Sequence, residues 1–466
     1  MDDKVIKKTG GISWFTASLF LIADMAGGGV VAMPVAMLDS GGYIGMSIIV
    51  ILCVLLCYTA HLLSENWLIL RERWSEYNEH CRKPYAEMAY RAMGPTARTM
   101  CSSALNIMLF GVSVVYLLLS SQIINDFISS VTGKNLGICL MLLIVSLALY
   151  PITLLKSPQD FWWAIVVAML TTVVSSALII AGTATDYSMC SAHAEGNEVK
   201  FKSVVLSLGT FMFGFGGHAV FPTIQHDMRK PRQFTRSAIF AFAVVTLMYA
   251  SISLLGYATY GNSLEDSIIN SIQTNWMQRT ANLFIAIHCV LTLTIVINPL
   301  NQEIEHAFKI PQDFCWQRIL IRTAVLLCAI FVAETVPKFG PILDVIGGTA
   351  VALSSAIMPA LYNLYLKAGW FDESIKNYRR PSFYELIVRT PKIRLISHIA
   401  VIVIAFVCGA ATTYSALVEI ATVHFTKPCY LSLLDEFTHS SSVVTHCCGS
   451  FRNISRFEST FCTATI

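Results

Sequence analysis

The chain has 466 residues, 55% of them hydrophobic and only 13% charged, with a mean hydropathy of +0.62. Soluble domains carry about 25% charged residues, so a water-soluble globular class is excluded, and a net charge of +3 gives nothing that suggests a nucleic-acid partner. Apolar runs of about 20 residues, each able to cross roughly 30 Å of hydrocarbon as a helix, recur through most of the length and make the lipid bilayer the main partner.

Eleven spans are expected, at 12–38, 42–64, 99–123, 137–155, 161–183, 203–224, 237–260, 280–301, 319–337, 341–366 and 395–418. They divide the chain into a cytosolic N-terminal segment (1–11), a membrane domain (12–418) and a polar, disordered tail (419–466). The first span is too long for a secretory h-region and lacks a small-residue cleavage site, so it reads as an uncleaved anchor. With the N-terminus in the cytosol, inside segments hold 23 Lys and Arg and outside segments 8, which satisfies the positive-inside rule. The tail then lies on the extracellular or luminal side, where Asn453 starts a glycosylation sequon. The choice between plasma and vesicular or lysosomal membranes stays open.

The first span contains FLIADMAGGGVVAMPVAM, residues 20–37. An acidic residue at mid-span costs roughly 2.5–3.5 kcal/mol, three glycines about 1 each and an interior proline about 3. Lipid does not favour such a helix for structural reasons alone. The 65–98 segment, with five Glu and six Lys or Arg, reads as a solvated helical connector. The sixth span, SVVLSLGTFMFGFGGHAVFPTI, repeats the anomaly: Gly29 to Pro34 and Gly217 to Pro222 share the spacing G-x-x-x-x-P. Paired interruptions in spans one and six point to two inverted halves of five helices, with a ligand site at mid-depth. An unwound stretch exposes peptide groups that only a cavity or a ligand can satisfy. Half-helix N-termini suit a carboxylate and C-terminal carbonyls an ammonium, so a zwitterion fits both.

Asp24 is the one acidic residue deep in a span; Asp344 and Glu334 fall near ends. A carboxylate without a positive partner in lipid has its charged form disfavoured, as a reversible proton carrier requires. A structural acid or a direct ligand of a substrate ammonium remain alternatives. His218 follows the second set of glycines and reads either as a proton relay or as a satisfied buried histidine. His288 in the eighth span reads as structural. Thr292 and Thr294 could offer hydroxyls to a cation, although such threonines commonly bond their own backbone. Of fourteen cysteines, Cys190, Cys429, Cys447, Cys448 and Cys462 fall outside, with no assignable pairing and no metal-type spacing. No metalloprotease or hydrolase motif occurs, so no enzyme is expected.

The stretches ADMAGGGVVAMPVAM, GFGGHAVFPTIQHDMRKPRQF and VPKFGPILDVIGGTAVALSSAIMPAL resemble the amino acid/auxin permeases, which include proton-coupled and vesicular amino acid transporters. The resemblance implies an all-α, leucine-transporter type fold, five plus five inverted helices with an eleventh outside them. It implies amino acid transport driven by an ion gradient, with the substrate backbone held at Gly27, Gly28, Gly29, Phe215, Gly216 and Gly217. Sodium-coupled relatives resemble one another in an amide four positions before the first glycine. Here that position is Ala23, with Asp24 beside it, which favours a proton as the coupling ion and needs no other cofactor. The expected substrate is a small neutral amino acid; an amino-acid sensor or an ion channel are the alternatives. Oligomeric state is not legible.

Overall fold

A computed structural model describes residues 11–432, apart from 80, 82, 133–134, 155–161, 195, 197, 312–314, 375 and 423–427. The expected glycosylation site Asn453, the cysteines 447, 448 and 462, and the cytosolic segment up to residue 10 lie outside the described residues.

The first span is two helices. Ser13 caps α1 (Trp14–Met25) by accepting from the Thr16 N–H, and α2 (Gly29–Ser40) follows after three residues, its axis turned by 61°. The small run Ala26, Gly27, Gly28 has no side chain beyond a methyl to hold a helix together. Gly41, at φ 75°, ends α2 and starts α3 (Gly42–Arg73), a conformation that favours glycine over any L side chain. A short turn leads to α4 (Pro84–Met93) and the long α5 (Pro95–Thr132), followed by α6 (Ile138–Thr153) and α7 (Trp162–Cys190).

The sixth span is again split, into α8 (Phe201–Gly214) and α9 (Phe221–Asp227), with Pro222 in the first turn of α9, where a missing N–H does no harm. Then come α10 (Phe234–Tyr260), a turn α11 (Ile268–Ser271), α12 (Asn275–Ala307) and α13 (Trp316–Thr335). The tenth span is α14 (Phe339–Ile346), a π-helical stretch Gly347–Ile357 and α15 (Met358–Ala368). A small hairpin of β1 (Trp370–Asp372) and β2 (Asn377–Arg379), then α16 (Phe383–Arg389), precede α17 (Lys392–Thr422) and a turn α18 (Cys429–Ser432). Among the described residues, seven helices are long and apolar enough to cross a bilayer, and the bent pair α1 and α2 makes an eighth; α6 and α8 are shorter apolar helices.

The halves of the two broken spans are partners. α2 packs along α8, α1 touches α9, and α10 lies against both α1 and α2. At the far end of α1, Ile12 N–H donates to Asp227 O (3.0 Å) and Arg229 N–H to Ile12 O (2.9 Å). Gly11 permits this pairing: at φ +132° it presses on the Asp227 carbonyl, where a Cβ would come within 2.6 Å. Around this pair, α12 packs along α5 and α7, and α17 along the π-helical stretch.

Two expectations change. The connector 65–98 is not simply solvated. Pro84, Tyr85, Ala86, Met88, Ala89 and Ala92 make α4 an amphipathic helix with a buried face, and the Tyr85 hydroxyl donates to the Ser354 carbonyl. Charges alternating with apolar residues at helical spacing gave one wet face and one dry one. The tail does not begin at 419, since α17 runs to Thr422, and Cys429 is bonded to Cys139 at the start of α6. Arg322 inside α13 is fully buried and donates to Glu305 (2.5 Å) and to the Thr153 carbonyl (2.7 Å).

Candidate functional site

The two interruptions meet. A Cβ on Gly29 would come within 3.0 Å of the Gly214 Cα, so the start of α2 and the end of α8 approach backbone to backbone, which only glycine allows. Behind them stands Tyr249 of α10, fully buried. Its hydroxyl lies 2.7 Å from Met25 O and 2.9 Å from Gly214 O. These are the last carbonyls of α1 and α8, groups that a helix end leaves without intrahelical partners; Met25 O also accepts from the Gly27 N–H (2.9 Å). One phenol thus serves both helix ends.

Beside this knot is a cavity of about 80 Å³, far below the roughly 300–1,000 Å³ of pockets that hold drug-sized ligands. Asp24, Gly216 and Gly217 line it on the side of the breaks, joined by Met25, Phe213, Ala219 and Val220. Apolar side chains close the rest: Met108, Leu109 and Val112 of α5, Val296 of α12 and Val351 of the π-helical stretch, with Tyr116 and Thr292 adding hydroxyls. Asp24 is exposed to this space. Its Oδ2 lies 2.5 Å from where a Gly217 Cβ would stand, so the carboxylate of one broken span rests on the bare backbone of the other. Asp24 is the only carboxylate in the lining, which holds no basic side chain among the described residues.

The expected site residues divide. Asp24, Gly216 and Gly217 come together in the cavity. Gly27, Gly28 and Gly29 are buried behind it: a Cβ on Gly27 would collide with the Tyr116 hydroxyl, one on Gly28 would reach the Leu119 Cδ2 at 2.7 Å, and the Gly28 N–H donates to the Tyr116 oxygen at 3.4 Å. Tyr116 therefore stands between the cavity and the first glycine run. The Phe215 side chain is fully buried, stacked on Phe242 with centroids 6.0 Å apart, leaving only its peptide to the break. His218 turns away from the cavity. Its Nε2 lies 3.0 Å from Leu56 O and 3.2 Å from Thr59 Oγ1 on α3, and its ring rests on Phe221. An irregular stretch has no fixed period, so adjacency to Gly217 in sequence did not fix the side on which the ring emerges.

His288, read as structural, is fully buried and held by Thr172 Oγ1 (2.7 Å), Ala168 O (3.1 Å) and Thr292 Oγ1 (3.2 Å). Through Thr292 it touches the cavity wall. Thr294 donates to Val290 O of its own helix. Asp344 accepts from Thr210 (2.6 Å) away from the site. Sequence reading missed Tyr116, Tyr249 and Val351. For the tyrosines a signal exists, because membrane tyrosines favour the two interfaces and these stand near the middle of spans. For Val351 there is none, since valine is what an apolar span ordinarily contains.

A family model of transmembrane amino acid transporter proteins matches residues 10–388. The amino acid transporter AVT1J of Arabidopsis thaliana is 25% identical over 382 residues, covering 79% of this chain and 84% of its own. AVT1B of the same plant is 25% identical over 409 residues, 85% of this chain and 69% of its own. Among solved structures, MhsT in complex with L-phenylalanine aligns with a TM-score of 0.57 at 9% identity, covering 88% of this chain and 100% of that one. Mhp1, a nucleobase-cation-symport-1 family transporter in a closed conformation with bromovinylhydantoin bound, aligns at 0.51 and 13% identity, covering 91% and 96%. At such identities the likeness concerns the fold, which is that of the leucine-transporter type with its five-plus-five inverted repeat.

Proposed function

This chain belongs to the family of transmembrane amino acid transporter proteins, and from that premise we propose that it is a secondary active carrier. In this reading it moves small neutral amino acids with protons, by alternating access around the breaks at 26–28 and 215–220. The observation that carries the proposal is the contact of two unwound backbones beside one cavity-facing carboxylate, Asp24 over Gly217.

Each part of a zwitterion has a counterpart here. The half-helix C-terminal carbonyls suit an ammonium, and the N-terminus of α2, which begins at Gly29, suits a carboxylate. Gly216 and Gly217 would meet the substrate backbone directly. Gly27 and Gly28 would do so once Tyr116 swings aside, Gly29, packed on Gly214, would do so only if α2 and α8 part, and Phe215 would contribute only its peptide group. Apart from Asp24, which this reading gives to the proton, the lining offers no charged side chain, which favours neutral substrates. We assign the proton to Asp24 in preference to His218, because the histidine bonds α3 while the carboxylate faces the space where the substrate would sit.

Reconstitution in proteoliposomes tests this. Labelled alanine should exchange for unlabelled neutral amino acids, and net uptake should rise as the side of uptake is acidified while ignoring sodium. Absence of exchange with every amino acid, as a channel or a sensor would show, removes the carrier reading; a requirement for sodium removes the proton.

A further inference from the structure

The tenth span contains eleven consecutive residues, Gly347–Ile357, in π-helical form. π geometry is rare, and where it occurs it is mostly a single turn, frequently at a functional site. Here its contacts with neighbouring helices are unusually close. A Cβ on Gly347 would collide with the Gly209 carbonyl of α8, and one on Gly348 would lie 3.0 Å from the Gly409 carbonyl of α17. Further along, the carbonyl of Ser354 accepts the Tyr85 hydroxyl of α4, while the Ser354 hydroxyl donates to Ala350 O (2.7 Å) and lies 3.2 Å from Met108 Sδ. The stretch is therefore clamped on both sides of one residue, Val351.

Val351 is 3% exposed and lines the cavity. Its Cγ1 and Cγ2 lie 2.9 and 3.2 Å from the position a Gly216 Cβ would take, so the side chain sits directly on the backbone that the transport reading gives to the substrate. A β-branched side chain has little rotameric freedom, and the clamps hold the backbone that carries it. On the facing helices the apolar lining groups differ: Met108 is unbranched and adaptable, and Leu109, Val112 and Val296 stand on the long helices α5 and α12.

We infer that Val351, held by the π-helical stretch, is the stop that limits substrate side-chain size, admitting aliphatic side chains no larger than about that of valine. The inference rests on the transport reading and names the substrate class of that same site. One methylene more or less in an apolar pocket changes discrimination by about tenfold or more. Val351→Ala is therefore expected to raise exchange of leucine relative to alanine about tenfold. Val351→Leu is expected to keep glycine and alanine and lose valine and anything larger. The melting temperature of each purified variant without ligand serves as the control for folding.

The measurement is counterflow of labelled alanine against glycine, alanine, valine, leucine and phenylalanine, paired with thermal stabilisation of the detergent-purified full chain by the same five. Leucine-to-alanine ratios equal to wild type in both Val351→Ala and Val351→Leu would overturn the size stop while leaving the carrier standing. If wild type shows no counterflow, the carrier reading fails, yet the stabilisation series still reads the size rule. Identical series in the wild type and both variants, or no stabilisation by any of the five, would overturn it there as well.

Discussion

At Asp24 a carboxylate that costs roughly 2.5–3.5 kcal/mol in the centre of a bilayer is placed where the cost falls, facing a cavity instead of lipid. A group so placed can take up and release a proton on each cycle, whereas an acid locked in an ion pair, as Glu305 is with Arg322, cannot do so cheaply. Asp24→Asn keeps the shape and removes the titration. Alanine binding, read by thermal stabilisation, should persist, and uptake, which in the wild type should rise as the side of uptake is acidified, should become flat with pH. A variant whose uptake still follows the pH gradient would take Asp24 out of coupling. Residues of this kind were legible in the sequence because they are expensive in lipid. Met108, Leu109, Val112, Val296 and Val351 were not, because an apolar residue in an apolar span looks the same whether it faces a ligand, a neighbouring helix or a lipid tail.

The helical elements show the same division. Both interruptions could be read from glycine, proline and their shared spacing, and their contact follows from the inverted repeat. What holds them together could not be read, because it comes from α10, whose Tyr249 hydroxyl bridges Met25 O and Gly214 O. Only the three-dimensional arrangement brings residue 249 to both. Its hydroxyl carries one hydrogen for two acceptors. Tyr249→Phe removes that donor from both carbonyls; Met25 O keeps the Gly27 N–H (2.9 Å), while Gly214 O loses the hydroxyl at 2.9 Å, at a cost of about 1–3 kcal/mol. The variant should melt several degrees lower and exchange alanine more slowly, with size selectivity unchanged. An unaltered melting temperature would mean that the two helix ends do not depend on this bridge. Likewise, the buried face of α4 was hidden by its charges, which occupy one side of a short helix and mask the apolar side in a simple count.

At the scale of the whole molecule, the sequence carried the membrane class, which rests on length and hydropathy summed over many residues, and the repeat, which rests on the placement of the two interruptions among the spans. It did not carry the covalent bond between Cys139 and Cys429, which joins residues 290 positions apart and depends on where α6, α13 and the segment after α17 come to rest. Two cysteines can meet only on one face of the bilayer, so the chain crosses an even number of times between them, as the eight expected spans from the fourth to the eleventh require. The bond also turns most of the protein into a loop closed on itself. A protease site inserted after Ser374, in the exposed hairpin between β1 and β2, would open that loop without freeing either piece. Cleaved protein should migrate as one band until reductant is added and then fall into two; two bands in its absence would mean that the ring had never closed.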